Sequence, residues 1–562
     1  MVDFAEVADG DQICHTFTFS NTLLMNQITI EADAIKVRIR IRSDLRGEFR
    51  LLTKYWAQFK SGTDIRGVAS EGVSGEKVNL TDESVQKMAD GFVLWLSEKT
   101  KKEPSALTIA VGHDPRLSAG RLRGDVVSAL TGAGVHVVDC GLSSTPAMFL
   151  VTKDLGCDGS VQLTASHHPW NRNGLKFFTQ ESGLDGTDIE AVLQHAQDGD
   201  RPAPAAGSVR NVNYMEQYCG RLRGMICKGV NAKDYEHPLA GFHIVVDAGN
   251  GAGGFYAKDV LAPLGADVSG SQFLEPDGRF PNHIPNPENE TAMRSVCGAV
   301  VRAKADLGVI FDTDVDRGGA VDSRGDEINR NRLVAVASAI ALENCPGGTI
   351  VTDSITSSGL KDYIEKTLGG KHRRFKRGYR NVINEAVRLN REGANCPLAI
   401  ETSGHAAMRE NYFLDDGAYL VTKIIIKSAQ LRARGKTLED LLAPLKEPAE
   451  ALELRFPILP EDFRKEGEQI IAALETYAEK QPGWTVAPDN CEGVRVSLDA
   501  AHGNGWFLLR LSVHDPILPL NVESDEKGGV QTILRELSAF LKNCSESINL
   551  TPLQKALAKG EN

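Results

Sequence analysis

One pattern recurs three times along this 562-residue chain: an apolar strand, a polar or glycine-rich turn, then an amphipathic helix. The first copy begins at "LTIAVGHD" (107–114), with a helix pattern over 118–132, and continues through "GVHVVDCG" and "GSVQLTAS" (159–166). "FHIVVDAGNGAGG" (242–254) opens the second copy and "GTIVTDSITSSG" (348–359) the third. Strands that alternate with helices specify βαβ units and mostly parallel sheets. The last part breaks the rule. "ALELRFPI" (451–458), a helix pattern over about 461–480, and the strands "GVRVS", "GWFLLRLS" and "ILPLNVES" predict a smaller α+β domain. "RPAPAAGS" (201–208) reads as a linker.

The expected fold class is therefore α/β: three related mixed α/β domains of βαβ type plus a smaller C-terminal α+β domain. The expected divisions are an extension at 1–55, domains at 56–203, 204–325, 326–452 and 453–545, and a tail at 546–562. Within the extension, "NQITIEADAIKVRIRIRS" alternates like a strand with charges on one face, as an appended edge strand or a disordered arm.

A net charge of -12 repels nucleic acid phosphates and leaves room only for a local basic pocket. The ten cysteines form no C-x-x-C pair and no zinc spacing, so they read as reduced intracellular thiols. No apolar run reaches the roughly 18 residues that span a bilayer. The first 30 residues hold Asp3, Glu6, Asp9 and Asp11 and no Lys or Arg, unlike a secretory or transit segment.

Ligands of open parallel sheets gather at the carboxyl ends of strands, so the polar residues there carry the chemistry. In "ADLGVIFDTDVDRGG", Asp312, Asp314 and Asp316 follow an apolar strand at spacing two. In an extended chain such residues share one side, and three converging carboxylates call for a hard cation such as Mg²⁺. A calcium EF-hand is excluded, because loop positions six and twelve hold Arg317 and Ser323 where Gly and Glu are needed. In "QLTASHHPWNRNGLKFF", Ser166 ends an apolar strand, with His167 beside it and Lys176 ten residues on. Alone, that serine is more often a helix cap than a nucleophile. In "LAIETSGH", Glu401, Ser403 and His405 suit sugar hydroxyls or a capping turn. In "GWFLLRLSVHDP", Arg510, Ser512 and His514 suit a phosphate, or a strand with a surface arginine. A rival motif, Gly249, Gly251 and Gly254 in "VVDAGNGAGG" with Asp267 beyond, matches the spacing of a dinucleotide-binding oxidoreductase.

Taken in order, these segments resemble the α-D-phosphohexomutase superfamily, and within it the phosphomannomutase/phosphoglucomutase group, over about residues 60–540. "SGTDIRGVA" (61–69) resembles its opening motif, "TASHHP" its phosphoserine loop, "DTDVDR" its metal loop and "ETSGH" its sugar loop. "PNHIPNPE" (281–288) and "FKRGYRNVI" (375–383) also resemble family segments, and plant and algal plastid-type members look closest.

The resemblance implies four domains around one central cleft, in an enzyme acting on hexose phosphates, and it suggests a plastid, whereas the N-terminus does not and leaves the cytoplasm open. Monomer and dimer stay open, and no nucleic acid or membrane partner is expected from the charge and the short apolar runs. It implies a hexose 1,6-bisphosphate as intermediate and activator. Ser166 would carry the phosphoryl group and join Asp312, Asp314 and Asp316 in holding Mg²⁺. Lys176 and His167 would serve acid–base chemistry, while Arg66 and Arg317 would stabilise transferring charge. Lys376, Gly378, Glu401, Ser403 and His405 would contact the sugar, and Arg510, Ser512 and His514 the distal phosphate. The sequence departs from the family pattern at Thr313, His168, Val513 and His514. The altered phosphate loop leaves a non-catalytic sugar-phosphate sensor as an alternative.

Overall fold

The computed structural model describes residues 51–512 and 515–559, and ahead of them four strands, Val2–Ala8, Ile13–Phe19, Ile28–Asp33 and Lys36–Ile41. The four strands form an antiparallel sheet in sequence order, within a compact unit of its own, Met1–Thr53. The alternating stretch at 26–43 thus supplies two paired strands, with Ile28 opposite Ile41, where one strand or a disordered arm is expected.

The second unit, Lys54–Asn562, holds four further sheets. The first runs in the order 208–211, 136–142, 108–113, 159–163, 172–179, 64–68, 60–61. Its first four strands are parallel and its last three are joined antiparallel. Ser208–Asn211 pairs with His136–Leu142, so the first sheet continues past the division at 203 and past the linker. The second sheet pairs 244–247 with 307–311 in parallel, then adds 318–322 and 327–328 antiparallel. The third sets 371–375, 349–353 and 398–400 parallel, then 406–408 and 414–415 antiparallel. The sheets are mixed, with more antiparallel pairing than βαβ reading alone predicts. The fourth sheet is antiparallel throughout, ordered 450–457, 517–524, 505–509, 494–498, 484–486.

Helix ends follow local chemistry. Thr81 caps Asp82–Thr100 by accepting from Ser84 N, with Asp82 and Glu83 in the first turn complementing the helix dipole. Asp185 forms a capping box at Gly186–Asp198, and Gly199 ends that helix in the left-handed region. Helices Thr145–Asp154, Tyr214–Val230, Arg330–Glu343 and Gly417–Arg432 contribute to one continuous apolar core that joins the three α/β sheets. The fourth sheet packs Phe463–Ala478 and Gly529–Leu541 around a separate core. No helix among the described residues is long and apolar enough to cross a membrane.

The glycine motif does not make a nucleotide site. Gly251 N and Ala252 N donate to Ala248 O and Thr313 O at 2.7 and 2.8 Å, so these amides are spent. A Cβ at Gly251 would lie 2.8 Å from Thr313 O. The spacing serves close packing behind the aspartate loop, and irregular helical turns, not an α-helix, follow it.

Candidate active site

Strand Gly159–Leu163 is wholly buried and delivers the serine loop at its carboxyl end. Thr164 Oγ1 donates to Asp114 Oδ2 (2.7 Å) and accepts from Ser166 N (2.9 Å). Ser166 sits at φ +47°, unusual for a residue with a Cβ. Its Oγ donates to Asp312 Oδ2 at 3.1 Å and lies 3.3 Å from His167 Nδ1. Arg317 Nη2 approaches the same Oγ at 3.4 Å and donates to His167 Nδ1 at 2.8 Å. Burial and the Arg317 charge push His167 down to about 2, so it is a neutral acceptor.

Asp312, Asp314 and Asp316 converge: they offer oxygens within 4.8 Å of one another, all three residues being buried. They do so on a turn, not by the alternation of an extended chain, and Val315 stands at φ +67° between them. Thr145 fixes the turn across the domain boundary, its N donating to Asp314 O (2.8 Å) and its Oγ1 to Asp314 Oδ2 (2.5 Å). Burial, then Asp316 and Asp314, push Asp312 well above the usual carboxylate range. Burial also opposes ionisation of Asp316, but the Lys176, His405 and Arg317 charges hold it well below. Lys176 Nζ donates to Asp314 Oδ2 (3.1 Å) and Asp316 Oδ2 (2.5 Å). Burial works against its charge, yet the two aspartates raise it well above an ordinary lysine. Asp314 Oδ1 and Asp316 Oδ1 are buried without a hydrogen-bond partner. Crowded carboxylates with two orphaned oxygens fit a hard divalent cation.

Arg66 donates to Ala165 O (2.8 Å) and Asp64 Oδ2 (2.9 Å), beside the serine. Arg317 is buried and reaches Asp312 Oδ2 (3.2 Å) and Asn286 Oδ1 (3.2 Å). Its backbone pairs with that of His405, joining the aspartate loop to the third sheet. Glu401 accepts from Gly378 N (2.5 Å) and Ser403 Oγ (3.2 Å). His405 donates to Asp415 Oδ2 at 2.5 Å and stacks on Tyr379 with centroids 5.0 Å apart. Burial opposes its protonation, but Asp415 and Asp316 raise it to about 9. Lys376 is exposed, whereas its neighbour Arg377 turns inward to Glu288 Oε1 (3.3 Å), and Arg377 N donates to Glu492 Oε1 (2.9 Å). Arg510 is buried and its Nε has no partner. Ser512 N donates to Ile517 O (3.1 Å), while His514, with Val513, lies outside the described residues. A cleft of about 500 Å³, lined in part by Asn286, Glu288, Arg377 and Thr402, opens beside Arg317.

Ser166, Lys176, Arg66, Arg317 and the aspartates thus stand together. Sequence reasoning missed Arg116, Thr145, Glu288 and Arg377. The only signal for Arg116 was its place just after an apolar strand, in "GHDPR".

Residues 58–201, 225–325 and 329–447 match the signatures described as phosphoglucomutase/phosphomannomutase, alpha/beta/alpha domains I, II and III. Together these cover more than half of the chain. The chain belongs to the phosphoglucomutase/phosphomannomutase family. A phosphomannomutase/phosphoglucomutase of Pseudomonas putida is 30% identical, over 84% of this chain and 92% of that protein. One of Pseudomonas syringae pv. tomato is 29% identical, over 87% and 96%. In fold, the chain is similar to a crystal structure of a family protein from Burkholderia thailandensis, at TM-score 0.72 and 24% identity, covering 89% of this chain and 99% of that one. These relatives give the sensor alternative no support.

Proposed function

We propose that the chain interconverts hexose 1-phosphate and hexose 6-phosphate, with glucose or mannose as the hexose, by passing a phosphoryl group through Ser166. One observation carries this reading. Ser166 Oγ meets Asp312 at 3.1 Å and Arg317 at 3.4 Å, while Lys176 binds the other two carboxylates of the same loop.

In the first half-reaction a sugar hydroxyl oxygen attacks the phosphorus of phosphoserine 166. The new P–O bond forms as the P–Oγ bond breaks; the hydroxyl releases a proton and Oγ takes one up. Lys176 Nζ, charged beside the two aspartates, is the group we assign to give Oγ its proton and to take up the one the hydroxyl releases. A hexose 1,6-bisphosphate results, turns round in the cleft, and returns its other phosphoryl group to Ser166. Arg317 and Arg66 bring positive charge to the transferring group, and neutral His167 orients Arg317. Mg²⁺ held by Asp312, Asp314, Asp316 and the serine phosphate would offset phosphate charge in both half-reactions. Glu401 and Ser403, with the Lys376–Gly378 segment, take sugar hydroxyls, and His405 ties their loop to the aspartate loop. Arg510 and Ser512 take the distal phosphate; an oxygen there would satisfy the orphaned Arg510 Nε.

A coupled assay with glucose 1-phosphate or mannose 1-phosphate and a trace of the 1,6-bisphosphate tests this. The expected result is 6-phosphate formation that EDTA stops and Mg²⁺ restores. No turnover of any hexose phosphate, or turnover indifferent to EDTA, contradicts it.

A further inference from the structure

Arg116 is buried in the first domain, and all five of its guanidinium N–H groups are spoken for. Nε donates to Asp114 Oδ2 at 3.2 Å. Nη1 donates to Pro169 O at 2.7 Å and Arg172 O at 2.8 Å. Nη2 donates to Ser166 O and, at 2.7 Å, to His168 O. Four of the five bonds therefore end on backbone carbonyls of the segment that presents Ser166.

We infer that Arg116, anchored by Asp114 and coupled through Thr164, is the positioning residue that holds Ser166 in its reactive backbone geometry. The inference rests on reading Ser166 as the phosphoryl carrier. Ser166 stands at φ +47°, a conformation that persists only where the surroundings over-determine it. Arg116 fixes its carbonyl, and Thr164 Oγ1, itself bound to Asp114, fixes its N–H at 2.9 Å. One carboxylate thus links both sides of the serine peptide. Residues 164–171 run from one strand to its antiparallel neighbour without a ladder of their own, so these bonds set the loop's shape.

The residue type matters. Four carbonyls accept from one guanidinium, whose planar fork of donors a lysine ammonium cannot reproduce. Burying a charge here is costly, and an apolar side chain would fill the space more cheaply if packing were its only task. Arg116 also carries the second domain: its guanidinium lies 5.3 Å from the Phe280 ring centroid, and a Cβ at Gly278 would lie 2.3 Å from Pro115 O. The clamp on Ser166 is therefore set against the domain that supplies the aspartates. Arg116 touches no reacting atom, so its removal should cost rate, not binding.

The test uses the full chain as Arg116→Ala and Arg116→Lys, with kcat and KM for glucose 1-phosphate. It adds chemical rescue by guanidinium chloride and hydrogen–deuterium exchange over 164–171. The expected result for Arg116→Ala is a fall in kcat of about 100-fold at nearly unchanged KM. Guanidinium should restore part of it, ammonium should not, and Arg116→Lys should stay slow. The amides of 166–171 should exchange faster in both variants. A folded Arg116→Ala with normal kcat, a rise in KM alone, or equal rescue by ammonium overturns the inference. If Arg116→Ala does not fold, Thr164→Val carries the test: a fall in kcat supports the clamp and a normal kcat overturns it. Should the wild-type chain prove inactive, the mutase reading fails, while exchange protection of 166–171 that requires Arg116 still decides the clamp.

Discussion

Ser166 and Val315, in the serine and aspartate loops, both have the left-handed backbone that side chains with a Cβ avoid. Such geometry costs about 1–3 kcal/mol for each residue and collects at functional sites. Val315 keeps it because its loop is tied from several directions: Gly417 N donates to Val315 O at 3.1 Å, Thr145 N to Asp314 O at 2.8 Å, and Arg317 N to Asp312 Oδ1 at 3.2 Å. Away from the site, one buried carboxylate works against stability. Burial pushes Asp90, in helix Asp82–Thr100, up from 3.8 to about 6, and Arg201 at 3.8 Å offsets this only in part. A raised carboxyl keeps its proton better in the folded state, so stability is lost as pH rises from 3.8 through about 6. Asp90→Asn removes that loss. We expect it to be more stable than the parent by about 1–2 kcal/mol at pH 8 after solvent screening, the gain vanishing towards pH 4. Urea unfolding at both pH values checks this; an equal effect at both, or a loss at pH 8, contradicts it.

At the level of elements, the serine, aspartate and Glu401–His405 loops occupy one topological place. Each turns from the last parallel strand of its sheet into the first antiparallel one: 159–163 into 172–179, 307–311 into 318–322, 398–400 into 406–408. The sequence made the first strand of each pair legible, because each is a short buried apolar run ending in polar residues. Ser166, Asp312, Asp314 and Asp316 were legible for the same reason. The returning strands were not, since Gly318–Asp322 and Ala406–Met408 are short and carry no alternation. Nor were Arg116 and Thr145, whose partners lie 50–56 and 169 residues away. The return into Arg172–Thr179 is tight enough to test. A Cβ at Gly174 would stand 2.2 Å from Ile65 O and 2.9 Å from Thr164 O, both backbone atoms. Gly174→Ala must spread the strands around Lys176. We expect a stability loss of about 1–3 kcal/mol, seen as a lower Tm, and slower turnover. An unchanged Tm contradicts this packing.

Within the second unit, an apolar core joins the three α/β sheets and another belongs to the C-terminal domain alone. The seam between them is polar near the site. Glu492 accepts from Arg377 N at 2.9 Å and from Ser354 Oγ, and Arg495 Nη1 donates to Ser354 O at 3.0 Å. Polar interfaces of this kind permit domain movement, which would let a bisphosphate turn and would exclude water when closed. The proposed reaction has one serine serve both half-reactions, so the serine itself is where it is tested. The direct measurement is transfer of labelled phosphate from glucose 1,6-bisphosphate. The account predicts label on Ser166 alone, chased into hexose phosphate as fast as turnover, and a Ser166→Ala chain that neither takes up label nor turns over. Label on another residue, or full mutase activity in Ser166→Ala, would contradict it.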